Sequence, residues 1–345
     1  MLTKVALELV ERGWVPDTLT RAGIRSICKE RLDEENAGTC EERQQRKRDY
    51  MSLAAQSELA PLPEKANEQH YEVPPAFFEL ALGPRLKYSS CYWPDGVVDL
   101  AGAEREALRI TCERAQIEDG MEILELGCGW GSLTLWMAEH FPQCRITAIS
   151  NSSLQIGFIE RRLEALGNTN VRVITQDMNV FDIDQSFDRV VSVEMFEHMR
   201  NHELLLQKIS NWLRPGGKLF AHFFCHREFA YPYEPKDESD WMARHFFSGG
   251  MMPSDDWLLQ WQRDLKVVEH HRWSGTHYEK TANAWLENVD REREKALAIF
   301  AETYGDDTAK RWLERWRVFF MSCAELFGYR NGEEWWVAHY VLEKS

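Results

Sequence analysis

The sequence predicts an α/β fold, a largely parallel sheet whose strands are crossed over by helices, and three observations carry that prediction. Beyond Ala115, short apolar runs alternate with longer helical stretches, the pattern of strand–helix–strand units. The links between them carry turn residues: Gly120, Gly167-Asn168 and Pro215-Gly216-Gly217. The first apolar run, Ile123-Leu124-Glu125-Leu126, ends in three alternating glycines, Gly127, Gly129 and Gly131, and passes at once into an apolar helical pattern.

Taken in order, residues 1–66 read as a helical N-terminal extension, charged and amphipathic to about Ala60 and broken by Pro61-Leu62-Pro63. The run at 41–48 mixes acids and bases and reads as an exposed helix face. Residues 67–345 form the main domain. Its strands are expected at 121–126, 145–149, 171–175, 189–193, 218–224, 265–270 and 335–342. Two insertions interrupt the alternation. The first, 226–264, is aromatic, carries the turn Ser248-Gly249-Gly250 and follows a central strand, where it would serve as a lid. The second, 272–330, is helical from about 281 to 327, too long for an ordinary crossover, and must form its own layer against the substrate.

At 345 residues and 44% hydrophobic content the chain can bury a full core. The formal net charge of -15 argues against nucleic acid and against an anionic membrane surface as partners, and suits a cationic ligand; solubility alone is the competing reading. The 8 cysteines are scattered, without a Cys-x-x-Cys pair, and read as reduced thiols. The cluster His222-x-x-Cys225-His226 lacks a second pair of ligands, so no metal site is expected. Acids at Glu8 and Glu11 interrupt the start of the chain and no stretch is long enough to span a bilayer, so the expected location is cytoplasmic, without stable membrane association.

The glycine run is where a small ligand belongs. Glycines let the backbone turn tightly and approach a ligand, and the helix that follows points free N–H groups and its positive dipole end at negative charge. The spacing Glu-x-Gly-x-Gly-x-Gly is not the dinucleotide spacing, and the chain has no phosphate loop, so a ligand without phosphate is indicated. S-adenosylmethionine (SAM) is the candidate. In open sheets ligands sit beyond the carboxyl ends of the strands, so each residue of interest should follow a strand. After the second strand, Asn151 and Gln155 offer amides where a nicotinamide enzyme would present an acid; a plain helix cap at Ser150-Asn151-Ser152 is the competing reading. After the third, Asp177 can accept from an adenine amino group while Met178 packs on the ring, against the alternative of a surface turn.

The fourth strand ends in Val193-Glu194-Met195-Phe196-Glu197-His198, two acids and a histidine beside the expected cofactor. An amine with a pKa near that of lysine, about 10.4, is protonated at pH 7 and has no lone pair to offer a methyl group. A carboxylate stabilises the arriving cation, and a histidine can take its proton.

These segments, with Tyr88-Ser89-Ser90-Cys91-Tyr92, Met252-Pro253-Ser254-Asp255-Asp256 and Ala324-Glu325-Leu326-Phe327-Gly328-Tyr329, resemble the SAM-dependent methyltransferases related to cyclopropane fatty acid synthases, and within them the plant-type coclaurine N-methyltransferase group. The resemblance implies a Rossmann-like class I methyltransferase fold, seven mostly parallel strands with one antiparallel. It implies methyl transfer from SAM, with S-adenosylhomocysteine as product, to the nitrogen of a benzylisoquinoline-like cyclic amine. Carried over by motif, Glu197 and His198 would orient and deprotonate the amine and Glu194 would line the pocket. Tyr88, Ser89, Gly127, Gly129, Asn151, Gln155, Asp177 and Met178 would hold SAM. Tyr71, Phe327, Tyr329 and Trp335 would supply the aromatic wall. A lipid-acting methyltransferase or cyclopropane synthase is the alternative. As that branch is known, it places a cysteine after Tyr-Ser and a glycine two residues before Phe-Glu-His; here those positions are Ser90 and Glu194. A small-molecule amine is the expected partner, and a homodimer is compatible with the sequence.

Overall fold

Each apolar run becomes a strand of one sheet in the computed structural model, which describes residues 2–61, 73–234 and 241–345. The strands are β1 (Glu122–Leu126), β2 (Arg145–Ser150), β3 (Val171–Thr175), β4 (Phe187–Val193), β5 (Leu213–His226), β8 (Lys266–Trp273) and β9 (Trp335–Glu343), with β6 (Tyr231–Pro232) and β7 (Met251–Met252) forming a separate two-residue ladder. The order across the sheet is β3-β2-β1-β4-β5-β9-β8. β9 runs antiparallel to both neighbours, and the remaining pairs are parallel. The expected seven strands with one antiparallel are therefore present. β1 is buried along its whole length, as a parallel strand covered on both faces must be, so its two acids, Glu122 and Glu125, are buried along with Ile123, Leu124 and Leu126.

The chain leaves β1 toward β2 on one side and returns as β4 on the other. This reversal opens a crevice at the carboxyl ends of β1 and β4, where ligands bind in open α/β sheets. β5 begins five residues earlier than the apolar run suggests: the pairing jumps from Phe187↔Leu213 to Arg189↔Lys218, so Pro215-Gly216-Gly217 is a bulge within the strand and not a turn before it.

Helices α1 (Leu2–Glu11), α2 (Asp17–Glu35) and α3 (Cys40–Ala55) make up the N-terminal extension, followed by α4 (Pro75–Ala81) and α5 (Leu100–Arg114). The crossovers are α6 (Ser132–His140), α7 (Ser153–Leu166) and α8 (His202–Trp212); α9 (Trp241–His245) lies in the aromatic insertion. The second insertion is a helical layer of α10 (Gly275–Arg291), α11 (Arg293–Tyr304) and α12 (Asp306–Phe327). α1 and α2 are folded onto that layer, where Cys28 and Leu32 enter its core and Arg21 donates to Glu325 at 2.8 Å and Arg315 to Glu11 at 2.9 Å, while α3 packs against α8 and Trp257. The boundary at 66 lies outside the described residues. Most of the charged run on α3 is exposed, but Arg43 and Lys47 are half-buried, because Lys47 pairs with Asp256 and donates to the Glu228 carbonyl of the aromatic insertion. Among the described residues no helix is long and apolar enough to cross a membrane.

Candidate active site

Glu194 stands where three cavities meet. An outer cleft of about 740 Å³ lies over the carboxyl ends of β1, β2 and β3. An inner one of about 600 Å³ runs under the glycine loop. A third, of about 770 Å³, opens between the sheet and the helical layer. Glu194 lines all three, and His198 lines the first and third. Its backbone is left-handed, with φ 49°, a conformation that a non-glycine residue holds only where its surroundings over-determine it.

The glycine loop bounds the first two cavities. Gly127 has φ 77°, and a Cβ there would sit 2.9 Å from Cβ of Met195, so the position is closed to any side chain. Gly131, at φ 80°, starts α6 with Ile159 packed against it, 2.7 Å from where a Cβ would be. Glu125, the acid that ends the apolar run, is buried, accepts from the Thr134 hydroxyl at 2.6 Å, and is pushed up to about 8 by burial, so it is protonated at neutral pH. Asn151, Gln155, Asp177 and Met178 line the outer cleft with Gly127 and Gly129; Tyr88 and Ser89 line the inner one. All eight expected cofactor positions thus border one continuous site. Asp177 also accepts from the Asn179 N–H at 2.8 Å, which fixes its turn.

The walls carry unsatisfied polar atoms. Nε2 of Gln155, Oγ of Ser132, Oγ1 of Thr111 and Nε1 of Trp130 are buried without a hydrogen-bond partner, and all four residues border the inner cavity. Buried polar groups are seldom left unpaired, so four around one cavity fit a polar ligand such as the amino-acid end and ribose of SAM.

The third cavity is apolar and aromatic. Phe327 stacks on Tyr278 at 4.2 Å between ring centroids, and Trp285, Phe224, Phe247 and Phe319 complete the walls. Tyr233, Met242 and Phe247 of its lining come from the aromatic insertion, as do Ser248, Gly249 and Gly250 of the outer cleft. Two expected wall residues lie elsewhere. Trp335 is fully buried in the core at the start of β9 and donates to the Tyr231 hydroxyl at 3.0 Å; Tyr329 packs on it, half-buried, and neither borders the cavity. Tyr71 lies outside the described residues.

Around Glu194 the hydrogen bonds converge. The Ser90 N–H donates to Oε1 at 2.8 Å, the Tyr278 hydroxyl to Oε2 at 2.7 Å, and Nε2 of His222 lies 3.2 Å from Oε1. Burial alone would raise this carboxyl, but the bond from His222, the charge of Lys87 and the Ser90 N–H outweigh it and hold Glu194 below the ordinary range, hence ionised. His222 is itself lowered to about 4 by burial and is neutral at pH 7, so what it gives Glu194 there is a hydrogen bond. Lys87, fully buried, donates to the Ser89 hydroxyl and the Ser90 carbonyl, both at 2.6 Å. The expected metal-like cluster is dispersed: His222 serves Glu194, His226 sits 3.5 Å from Glu334, and Cys225 faces away from both on the alternating strand.

On the turn Phe196–His198, Glu197 is fully buried and His198 half-buried, and they differ in access. His198 borders two cavities and is lowered to about 4 by burial, so it is a neutral imidazole at pH 7. Glu197 borders none of the three cavities; its Oε1 accepts from the Phe224 N–H at 2.6 Å, its Oε2 is unpaired, and burial with the nearby Glu194 charge pushes it well above the carboxylate range. His222, Tyr278 and Lys87 were not legible as site residues: Tyr278 lies 84 positions from Glu194 and carries no local motif.

A model of the mycolic acid cyclopropane synthetase family matches residues 62–335. The chain is 38% identical over 343 residues to (S)-coclaurine N-methyltransferase from Thalictrum flavum subsp. glaucum, covering 98% of this chain and 95% of that protein. It is 34% identical over 342 residues to pavine N-methyltransferase from the same species, covering 98% and 96%. A crystal structure of coclaurine N-methyltransferase bound to N-methylheliamine and S-adenosylhomocysteine superposes with a TM-score of 0.96 at 36% identity over 100% of both chains. The chain belongs to the mycolic acid cyclopropane synthetase family, and it is a SAM-dependent methyltransferase.

Proposed function

We propose that this family member transfers a methyl group from SAM to the nitrogen of a cyclic amine of the tetrahydroisoquinoline or benzylisoquinoline type. The observation that carries the reading is Glu194, an ionised carboxylate buried at the junction of a polar cofactor cleft and an aromatic cavity. A cation fits that junction and an alkene does not use it.

Gly127, Asn151, Gln155, Asp177 and Met178 would hold SAM in the outer cleft, with Tyr88 and Ser89 in the inner one. When bound, SAM supplies a methyl group on a positively charged sulfur. Glu194 anchors the ammonium of the amine, and the Phe327–Tyr278 pair and Trp285 present ring faces to it, worth about 0.5–2 kcal/mol each. His198, neutral at pH 7, takes the N–H proton. The apolar walls lower the amine's own pKa as burial lowers that of Lys87, which narrows the gap between donor and acceptor. Glu197 acts through its turn: by binding the Phe224 N–H it ties Phe196–His198 to β5 and sets His198 at the cavity wall. Tyr233, Met242 and Phe247 of the aromatic insertion exclude water, and α1 and α2 brace the helical layer.

The test is incubation with SAM and a panel of cyclic secondary amines, read by mass spectrometry. A gain of one methyl group on at least one amine is expected. Confirmed SAM binding with no amine product, or methylated lipid in its place, would overturn the reading.

A further inference from the structure

Behind Glu194, a line of side chains leaves the site through the sheet. His222 on β5 and His339 on β9 are register partners across the sheet, both fully buried. Nε2 of His339 lies 2.9 Å from Nδ1 of His222, and Nδ1 of His339 lies 2.8 Å from a guanidinium nitrogen of Arg114, at the end of α5. Trp273 packs on both rings and under the guanidinium, with centroids 5.3 Å from His222 and 4.3 Å from His339 and the Arg114 carbon 5.8 Å above it.

The direction of this line follows from one fact: a guanidinium only donates. Nδ1 of His339 must therefore accept, and its proton sits on Nε2, which donates to Nδ1 of His222. The proton of His222 then sits on its own Nε2 and points at Oε1 of Glu194. Any second proton on either ring would set two donors face to face; reversing the His222 tautomer would turn a lone pair toward the carboxylate, and reversing that of His339 would set its Nδ1–H against the guanidinium.

We infer that Arg114, His339 and His222 are positioning residues for methyl transfer, a one-way relay of hydrogen bonds that fixes Glu194 against the amine and conducts no proton out of the site. The relay ends in a group that cannot accept, so the proton taken from the amine has no exit along it. The residues are contributed by α5, β9 and β5, and neither Arg114 nor His339 borders any of the three cavities, so their effect on the amine passes through Glu194. Of the other groups around Glu194, Ser90 and Tyr278 donate to it and Lys87 stands near it, from the segment before α5 and from α10, while Glu197 and His198 stand near it on the turn after β4; on its His222 side the hydrogen bond comes from this relay.

The inference rests on reading the third cavity as an amine site, and the experiment separates the two. Nitrogen-15 NMR of histidine-labelled protein without any amine, assigned with His222→Gln and His339→Gln, should show both rings neutral with the proton on Nε2. A proton on Nδ1 of either ring, or on both nitrogens, would overturn the relay whatever the substrate proves to be. With a turned-over amine, Arg114→Met should raise its KM about tenfold, the order expected for losing one hydrogen bond to a charged group, and leave the KM for SAM within about twofold; Arg114→Lys, which keeps a donor, should recover most of the loss. An unchanged amine KM in Arg114→Met, or equal losses in the two variants, would overturn it. Should the Met variant not fold, the NMR measurement on the unmodified protein still decides.

Discussion

The two halves of the cleft are built from different materials. The cofactor half is centred on backbone: a glycine loop, the ends of β2 and β3 and the segments that follow them, all within residues 127–178, joined by Tyr88 and Ser89 from the segment before α5. The amine half is made of side chains from Tyr88, β5, the aromatic insertion, α10 and α12, spread over more than two hundred positions. A backbone site needs particular residues at particular spacings, because only glycine takes the required dihedral angles. A side-chain wall needs only bulk and shape, which many residues supply. The first half should therefore be fragile and common to different reactions, and the second tolerant and responsible for which amine is taken.

Glu194 belongs to both halves, so altering it should do the most damage. Glu194→Gln keeps the shape but removes the charge and sets an amide against the donors of Tyr278 and His222; kcat/KM for the amine is expected to fall about 10²- to 10³-fold, measured by steady-state kinetics. A change under threefold would show that neither half relies on it. Gly127→Ala should break the cofactor half alone. It forces a Cβ against Met195 at positive φ, and SAM affinity by calorimetry should weaken at least about tenfold. Phe327→Ala should break the amine half alone, raising the amine KM about 3- to 30-fold through loss of a ring face while SAM affinity stays put. If Phe327→Ala weakens SAM binding as much as amine binding, the halves are not separable.

The smallest effect is on stability, and it concerns the frame shared by both halves. His198, His202, His222 and His277 are all lowered to about 4 by burial. Their unfolded pKa is about 6.5, so on acidification the unfolded chain takes up these protons first. Their stabilising effect is complete above about pH 6.5 and is lost as the pH falls toward 4. The melting temperature should drop by more than about 5 °C between pH 7 and pH 5; a flat or rising profile over that range would contradict the burial assigned to these rings.

The same division explains what could be read from the sequence. The seven strands and six of the eight cofactor positions follow from local signals: apolar runs, Gly127 to Gly131, and the short polar turns after β2 and β3; Tyr88 and Ser89 came only from the resemblance. Glu194 and His198 were legible because they share one strand end with Phe196. The wall was not. Phe327 was found by resemblance to a motif, whereas Trp335, chosen the same way, is a core residue, since an aromatic at a strand end packs equally well on either side of a sheet, and Tyr329 packs half-buried against it away from the cavity. Tyr278 and His222, which hold Glu194, meet it only because α10 folds back over the sheet and β5 pairs with β4. Nothing in the residues around Tyr278 distinguishes it from any buried tyrosine. Glu197 illustrates a different limit: its motif marks it as reactive, and only the three-dimensional structure shows that its carboxyl faces the backbone of Phe224 and not a cavity.

The central claim is that His198 removes the amine's proton at the junction of the two halves. It is tested most directly by comparing kcat/KM of the unmodified enzyme and His198→Ala for one cyclic amine at pH 7 and at pH 10. At pH 7 the amine is protonated and the variant should be slower by about 10²- to 10⁴-fold. At pH 10, where free amine is abundant, the gap should shrink to less than about tenfold. An equal gap at both pH values would show that His198 shapes the cavity and takes no proton.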